Sequence, residues 1–149
     1  MIKVQKNNFF IEKEIKILES NCENVGAISS FIGTVRNKRK NEELLSMTLE
    51  HYPGMTEKIL KNIESEALQR WDILGTTIIH RYGELFPGDQ IVLVITASKH
   101  RKESVDSCHF IIDWLKTKGP FWKYEKTKNA GFWVEAKKSD LKEELKWKT

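Results

Sequence analysis

From Val25 to Val35 the chain is rich in β-branched and small residues, with Ala27, Phe31 and Val35 in one alternation phase and Ile28 and Ile32 in the other. That pattern predicts a largely buried strand. After a polar loop from Asn37 to Glu43, Leu45, Met47, Leu49 and His51 alternate with Ser46, Thr48 and Glu50, as in a strand with one wet face. Pro53-Gly54 interrupts, and Met55, Ile59, Leu60, Ile63, Ala67 and Trp71 then recur at helical spacing until Asp72. Two more strands, 76–82 and 90–97, are joined by a turn or irregular loop from Gly83 to Asp89. Ser98 stands where it can cap a helix whose apolar stripe is Val105, Cys108, Ile112 and Leu115 and which stops before Gly119-Pro120. Short extended pieces over 121–123 and 132–136 precede a charged C-terminal segment. This order predicts an α+β fold, a mainly antiparallel sheet with helices packed on one face, in a single domain spanning residues 1–149.

Composition narrows the class. With 149 residues, 40% hydrophobic and 31% charged, the chain suits one globular domain with a sizeable core. Its N-terminus has no apolar stretch of signal-peptide length, which predicts a soluble, cytoplasmic protein with no membrane partner. Cys22 and Cys108 form no C-x-x-C pair, which fits a reducing compartment. Charge is uneven: residues 116–149 carry a net +5 and residues 1–115 a net −1. A basic, Trp-bearing segment of this kind suits nucleic acid, a phosphorylated substrate or an acidic partner, or is simply a solvated lysine face.

Candidate chemistry lies at the ends of these elements. Ser98-Lys99-His100-Arg101 sits at a strand-to-helix junction, where free N–H groups and two cationic side chains can seat a phosphate, or where a helix simply begins. Lys116 and Lys123 bracket the Gly119-Pro120 reversal beside Phe121 and Trp122; a lysine so placed is either a nucleophile or proton carrier with a lowered pKa, or a solvated surface group. Arg36 closes the first strand, within reach of a phosphate or carboxylate. His51, His80, His100 and His109 show no metal-ligand spacing, and the sequence has no Walker or G-x-G-x-x-G motif, so neither metal nor cofactor is expected. Cys108, on an apolar stripe, reads as a buried thiol.

Five blocks stand in a telling order: Gly26-Ala27-Ile28-Ser29-Ser30-Phe31-Ile32-Gly33-Thr34-Val35-Arg36, Leu49-Glu50-His51-Tyr52-Pro53-Gly54-Met55, His80-Arg81-Tyr82-Gly83-Glu84-Leu85, Ser98-Lys99-His100-Arg101, and Asp113-Trp114-Leu115-Lys116 through Pro120-Phe121-Trp122-Lys123-Tyr124-Glu125. Over residues from about 25 to 137 the chain resembles the molybdopterin synthase large, catalytic subunit (MoaE) family. The resemblance implies an α/β-hammerhead fold and a sulfurtransferase. Its substrate would be cyclic pyranopterin monophosphate, converted to the molybdopterin dithiolene. The donor would be a small ubiquitin-like subunit with a C-terminal Gly-Gly thiocarboxylate, and the assembly a homodimer within a heterotetramer. It further implies substrate contacts at Thr34, Val35, Arg36, His100, Arg101, Lys116, Lys123, Tyr124 and Glu125, with Lys116 catalytic and Lys123 sharing that task or holding the donor tail. Four positions depart from the family pattern: Ser104-Val105 stand in place of Ala-Phe, Lys99 in place of a small residue, and Lys137 in place of Arg, where a point charge replaces a bidentate grip. Two rival classes are a single-stranded nucleic-acid binding module, stacking bases on Trp122, Trp133 and Trp147, and a non-catalytic scaffold for a ubiquitin-like partner.

Overall fold

The computed structural model describes residues 1–135 and 137–148. In chain order its elements are β1 (Ile2–Gln5), α1 (Ile11–Ser20), β2 (Ala27–Thr34), β3 (Lys38–Arg39), β4 (Glu42–His51), α2 (Met55–Arg70), β5 (Ile73–Arg81), β6 (Gly83–Leu85), β7 (Gln90–Ser98), α3 (Arg101–Lys118), β8 (Phe121–Thr127), β9 (Gly131–Trp133) and α4 (Lys138–Leu145). They form an α+β fold with two sheets. One runs β1-β5-β7-β2, antiparallel except for the β1–β5 pair; the other runs β3-β4-β8-β9, with β6 also paired to β4. Of the extended piece predicted over 132–136, Gly131–Trp133 forms β9 and Ala136 lies outside the described residues.

Alternation along β5 and β7 gives the first sheet two apolar faces. Ile78 and Val94 meet Ile63 and Ala67 of α2 and Phe110 and Ile111 of α3, whereas Ile79, Leu93, Ile95 and Ala97 meet Phe9 and Leu18 beside and on α1. The helices therefore cover both faces, not the one face the sequence predicts, because the N-terminal 20 residues supply a helix that the pattern reading left out. Fully burying each such side chain contributes roughly 1.5–3 kcal/mol. A third cluster, built on Val35, Leu44, Met47, Leu49, Leu85 and Ile91, lies where the two sheets adjoin.

Local departures from the predicted pattern have physical causes. The register of β4 against β8 shifts between Leu44 and Ser46, so Leu44 turns into the core and Leu45, assigned to the apolar face, is half exposed. Ser98 ends β7 instead of capping α3: its hydroxyl bonds the backbone of His100, which is the N-cap residue and makes no side-chain cap bond. The buried stripe of α3 is Ser104, Ser107, Cys108 and Ile111, and Val105 faces solvent. Small hydroxyl residues let the helix lie close on the sheet while staying satisfied, since Ser104 Oγ donates to Ser29 Oγ at 2.7 Å and Thr96 Oγ1 to the Ser104 carbonyl at 2.6 Å.

The charged C-terminal segment folds back as α4. Beyond it Trp147 packs edge-on against Trp71 and Phe110, each 5.6 Å between ring centroids, and donates its Nε1–H to Asp113 Oδ2 at 2.8 Å. Among the described residues no helix is long and apolar enough to cross a membrane. Replacing Trp147 by Ala removes this anchor and is expected to lower stability by roughly 2–4 kcal/mol, with Trp147→Phe losing less, as read from denaturant unfolding.

Candidate functional site

A cavity of about 690 Å³ opens at the seam between the two sheets, under the C-terminal end of α3. Its apolar wall comes from Phe31, Ile91, Ile112, Leu115 and Phe121, and into it reach Thr34, Arg36, Lys116, Lys123 and Glu125.

Local backbone chemistry places these groups. The β2–β7 ladder slips between Gly33 and Thr34, and the next residue, Val35, is pinned by two backbone bonds: its N–H donates to the Asp89 carbonyl at 2.9 Å and its carbonyl accepts from Gly88 N–H at 2.9 Å. Gly88 adopts φ +89, which only glycine takes without strain, in a turn that the Asp89 carboxylate closes on Phe86 N–H at 2.8 Å. The Val35 side chain is thereby buried to 2% exposure, leaving Thr34 and Arg36 on either side directed outward. Val35 anchors the segment; its side chain does not line the cavity.

Lys116 occupies the last turn of α3, where the helix dipole favours a cation. Gly119 then bonds back to the Leu115 carbonyl at 3.1 Å, and a Cβ on it would lie 2.4 Å from that oxygen, so the tight exit requires glycine. The chain reverses into β8, where Phe121, Lys123 and Glu125 share the face turned to the cavity. The opposite face presents Tyr124, packed on Trp133 at 5.0 Å, so Tyr124 does not line the cavity. Glu125 is buried and lies 3.9 Å from Arg39.

Electrostatics single out Lys123. Burial, then the charges of Lys116 and Arg36, pull its pKa down from 10.5 to about 8, against the opposing pull of Asp140 and Glu125. It can therefore both carry charge and exchange a proton near neutrality. Cys108 is the opposite case: burial pushes its thiol up to about 11, as suits a packing residue.

His100 and Arg101 do not join this group. They stand at the N-terminal end of α3, and at about 1.5 Å rise per residue the helix carries Arg101 roughly 22 Å from Lys116. Sequence reading gave no site role to His80, buried in its strand, or to Asp140 on the C-terminal segment, and it noted Lys137 only as a departure from the family pattern; all three line the cavity. Elsewhere His109, Asp113 and Glu143 bring ligand-type atoms within 4.8 Å of one another. Asp113 accepts from Trp147, which ties the chain beyond α4 to α3, and Glu143 pairs locally with Lys146.

A family model described as MoaE protein matches residues 4–118. Molybdopterin synthase catalytic subunits from Ralstonia nicotianae and Pseudomonas aeruginosa are 47% and 44% identical to this chain over 146 residues each, which is 98% of it and 83% and 97% of theirs. A solved structure titled molybdopterin biosynthesis MoaE protein, from Burkholderia ambifaria, superposes with a TM-score of 0.86 at 41% identity, covering 100% of this chain and 98% of that one.

Because burial and then neighbouring cations depress the Lys123 amine, it should titrate near pH 8 in 15N-detected NMR of the Lys side chains. Removing one of those cations in Lys116→Ala should raise that value; a Lys123 that titrates with the solvated lysines would contradict the cavity geometry.

Proposed function

The chain belongs to the MoaE protein family, and from that premise we propose that it is the catalytic subunit of a molybdopterin synthase. It transfers sulfur from the C-terminal thiocarboxylate of a small ubiquitin-like partner to cyclic pyranopterin monophosphate, forming the molybdopterin dithiolene. One observation carries the assignment of residues: Arg36, after the first predicted strand, and Lys116 and Lys123, on either side of the Gly119-Pro120 reversal, line a single cavity. A cavity of this size suits a pterin, and its cations suit both a phosphate and a thiocarboxylate.

As sulfur passes to the pterin, water adds to the donor's acyl carbon and the C–S bond breaks, so that the donor leaves as a carboxylate; negative charge develops at the acyl oxygen, and protons move at the pterin side chain. The Lys116 ammonium stabilises the first. Lys123, poised near pH 8, supplies or receives the second, or holds the donor tail. Arg36 orients the phosphate through paired N–H donors. Thr34 and Glu125 complete the wall, with Val35 and Tyr124 positioning the backbone on either side.

His100 and Arg101 contact the same substrate only if they come from a second copy of the chain. The length of α3 supports that reading and gives the homodimer a catalytic reason. Residues 1–149 then act as one catalytic domain, the basic C-terminal segment included, a reading supported by Lys137 and Asp140 in the cavity wall and by Trp147 in the core. The two free thiols, Cys22 and Cys108, support a cytoplasmic setting. For the nucleic-acid reading, Trp147 is lost as a stacking platform because it packs against Phe110.

Dithiolene formation from a thiocarboxylated donor and the cyclic pyranopterin tests the activity. Lys116→Ala should reduce it at least about 100-fold with unchanged circular dichroism and unchanged binding of the donor. An active, folded variant would remove Lys116 from the catalytic role. Arg101→Ala should weaken pterin binding. Mixing these two variants and allowing subunits to exchange should restore activity to about one quarter of wild type, since half the dimers then carry one intact site of two. No restoration would show that each site is built from one chain.

A further inference from the structure

Among the charged groups of the cavity stands one neutral polar ring that the reaction, as derived above, leaves unused. His80, on β5, lines the cavity and is 6% exposed. Its Nδ1 lies 2.9 Å from the Arg81 carbonyl, which only accepts, so Nδ1 carries the ring hydrogen. The Nε2 lone pair is then left free, with no protein partner among the described residues. Stacking on Phe121, with 3.5 Å between centroids and 10° between planes, fixes the ring's direction. Burial and the charges of Lys123, Lys116 and His51 hold its pKa down at about 3, so the ring stays neutral wherever the protein works.

We propose that His80 is a further substrate-binding residue, whose Nε2 accepts a hydrogen bond from an N–H of the bound pterin. This inference rests on the pterin reading of the cavity. Arg36, Lys116, Lys123 and Lys137 offer only donors, which suit the phosphate and the thiocarboxylate but cannot pair with the N–H groups along the edge of a reduced pterin. Of the cavity carboxylates, Glu125 faces Arg39, Glu135 follows β9, and Asp140 lies on α4. A carboxylate would also repel the substrate's phosphate. A neutral acceptor set in the apolar wall satisfies the N–H without that repulsion, and its fixed tautomer admits a donor and rejects an acceptor.

Two substitutions separate this role from a packing role. His80→Phe keeps a flat ring on Phe121 and loses the acceptor; His80→Gln loses the stack and keeps an acceptor near the Nε2 position. KM for the pyranopterin should rise about tenfold or more in His80→Phe, with kcat changed far less and donor binding unchanged, and only about threefold in His80→Gln. The reverse order, or two variants matching wild type, overturns the proposal. Should neither variant fold, the 15N resonance of His80 Nε2 in the wild type decides: a shift toward the hydrogen-bonded position on adding pyranopterin supports the contact, and an unmoved resonance refutes it. A wild type that makes no dithiolene defeats the reading of the site itself, whereas an active wild type with an indifferent His80 defeats only this inference.

Discussion

Cations gathered around a partly dry cavity repel one another, and the rest of the structure serves to hold them there. Arg36 follows β2, Lys116 stands in the last turn of α3 and Lys123 on β8; burial first, and then the charges of the other two, lower the proton affinity of Lys123. In water such charges would move apart at little cost. Here each is tied to backbone that cannot yield: Arg36 to the Val35 anchor, Lys116 to the last turn of a helix packed on two sides, and Lys123 to the middle of β8 between β4 and β9. On the proposed reading, a phosphate or a thiocarboxylate entering the cavity would relieve that repulsion, so the cations would be preorganised for anions, with little reorganisation left for the reacting state.

Stability for this arrangement comes from outside the cavity. The first sheet is closed on both faces, by α1 on one side and by α2 and α3 on the other, and its central strands are mostly buried. The second sheet leaves Trp122 and Trp133 exposed. The site sits between the two, where α3 leaves the first sheet and β8 enters the second. A rigid layer thus supplies the anchored ends, and the seam supplies the open volume.

Much of this was legible in the sequence, because strong periodicity marks β2, β4, α2, β5, β7 and α3. Those elements form close to their predicted positions. What escaped is physically coherent. The helix α1 carries Ile11, Ile15 and Leu18 at helical spacing, but it is short and begins at Phe10 without a side-chain cap, so the usual start signal is missing. The phase error at Leu45 comes from a bulge, which alternation cannot reveal, and the wrong stripe on α3 comes from serines, whose burial depends on partners across the sheet. Lys116, Lys123 and Arg36 were visible as cations at element ends. His80 was not, since a histidine within an apolar strand reads as core until the tautomer-fixing bond and the cavity are seen together.

The length of α3 bears on how the whole assembly works. The helix carries Arg101 at one end and Lys116 at the other, with its middle buried against the first sheet by Ser104, Ser107, Cys108 and Ile111. No side-chain rotation brings those ends to one small molecule, since an extended arginine spans far less than roughly 22 Å. On the proposed reading the cationic groups at the two ends serve two sites, each end of the helix facing a different one. Paired about a twofold axis, two such helices would complete two sites at once, and neither chain alone would bind the substrate with its full set of cations. Dimerisation would then be a condition on catalysis, and the packing of α3 against the first sheet would fix the distance at which the second chain must dock.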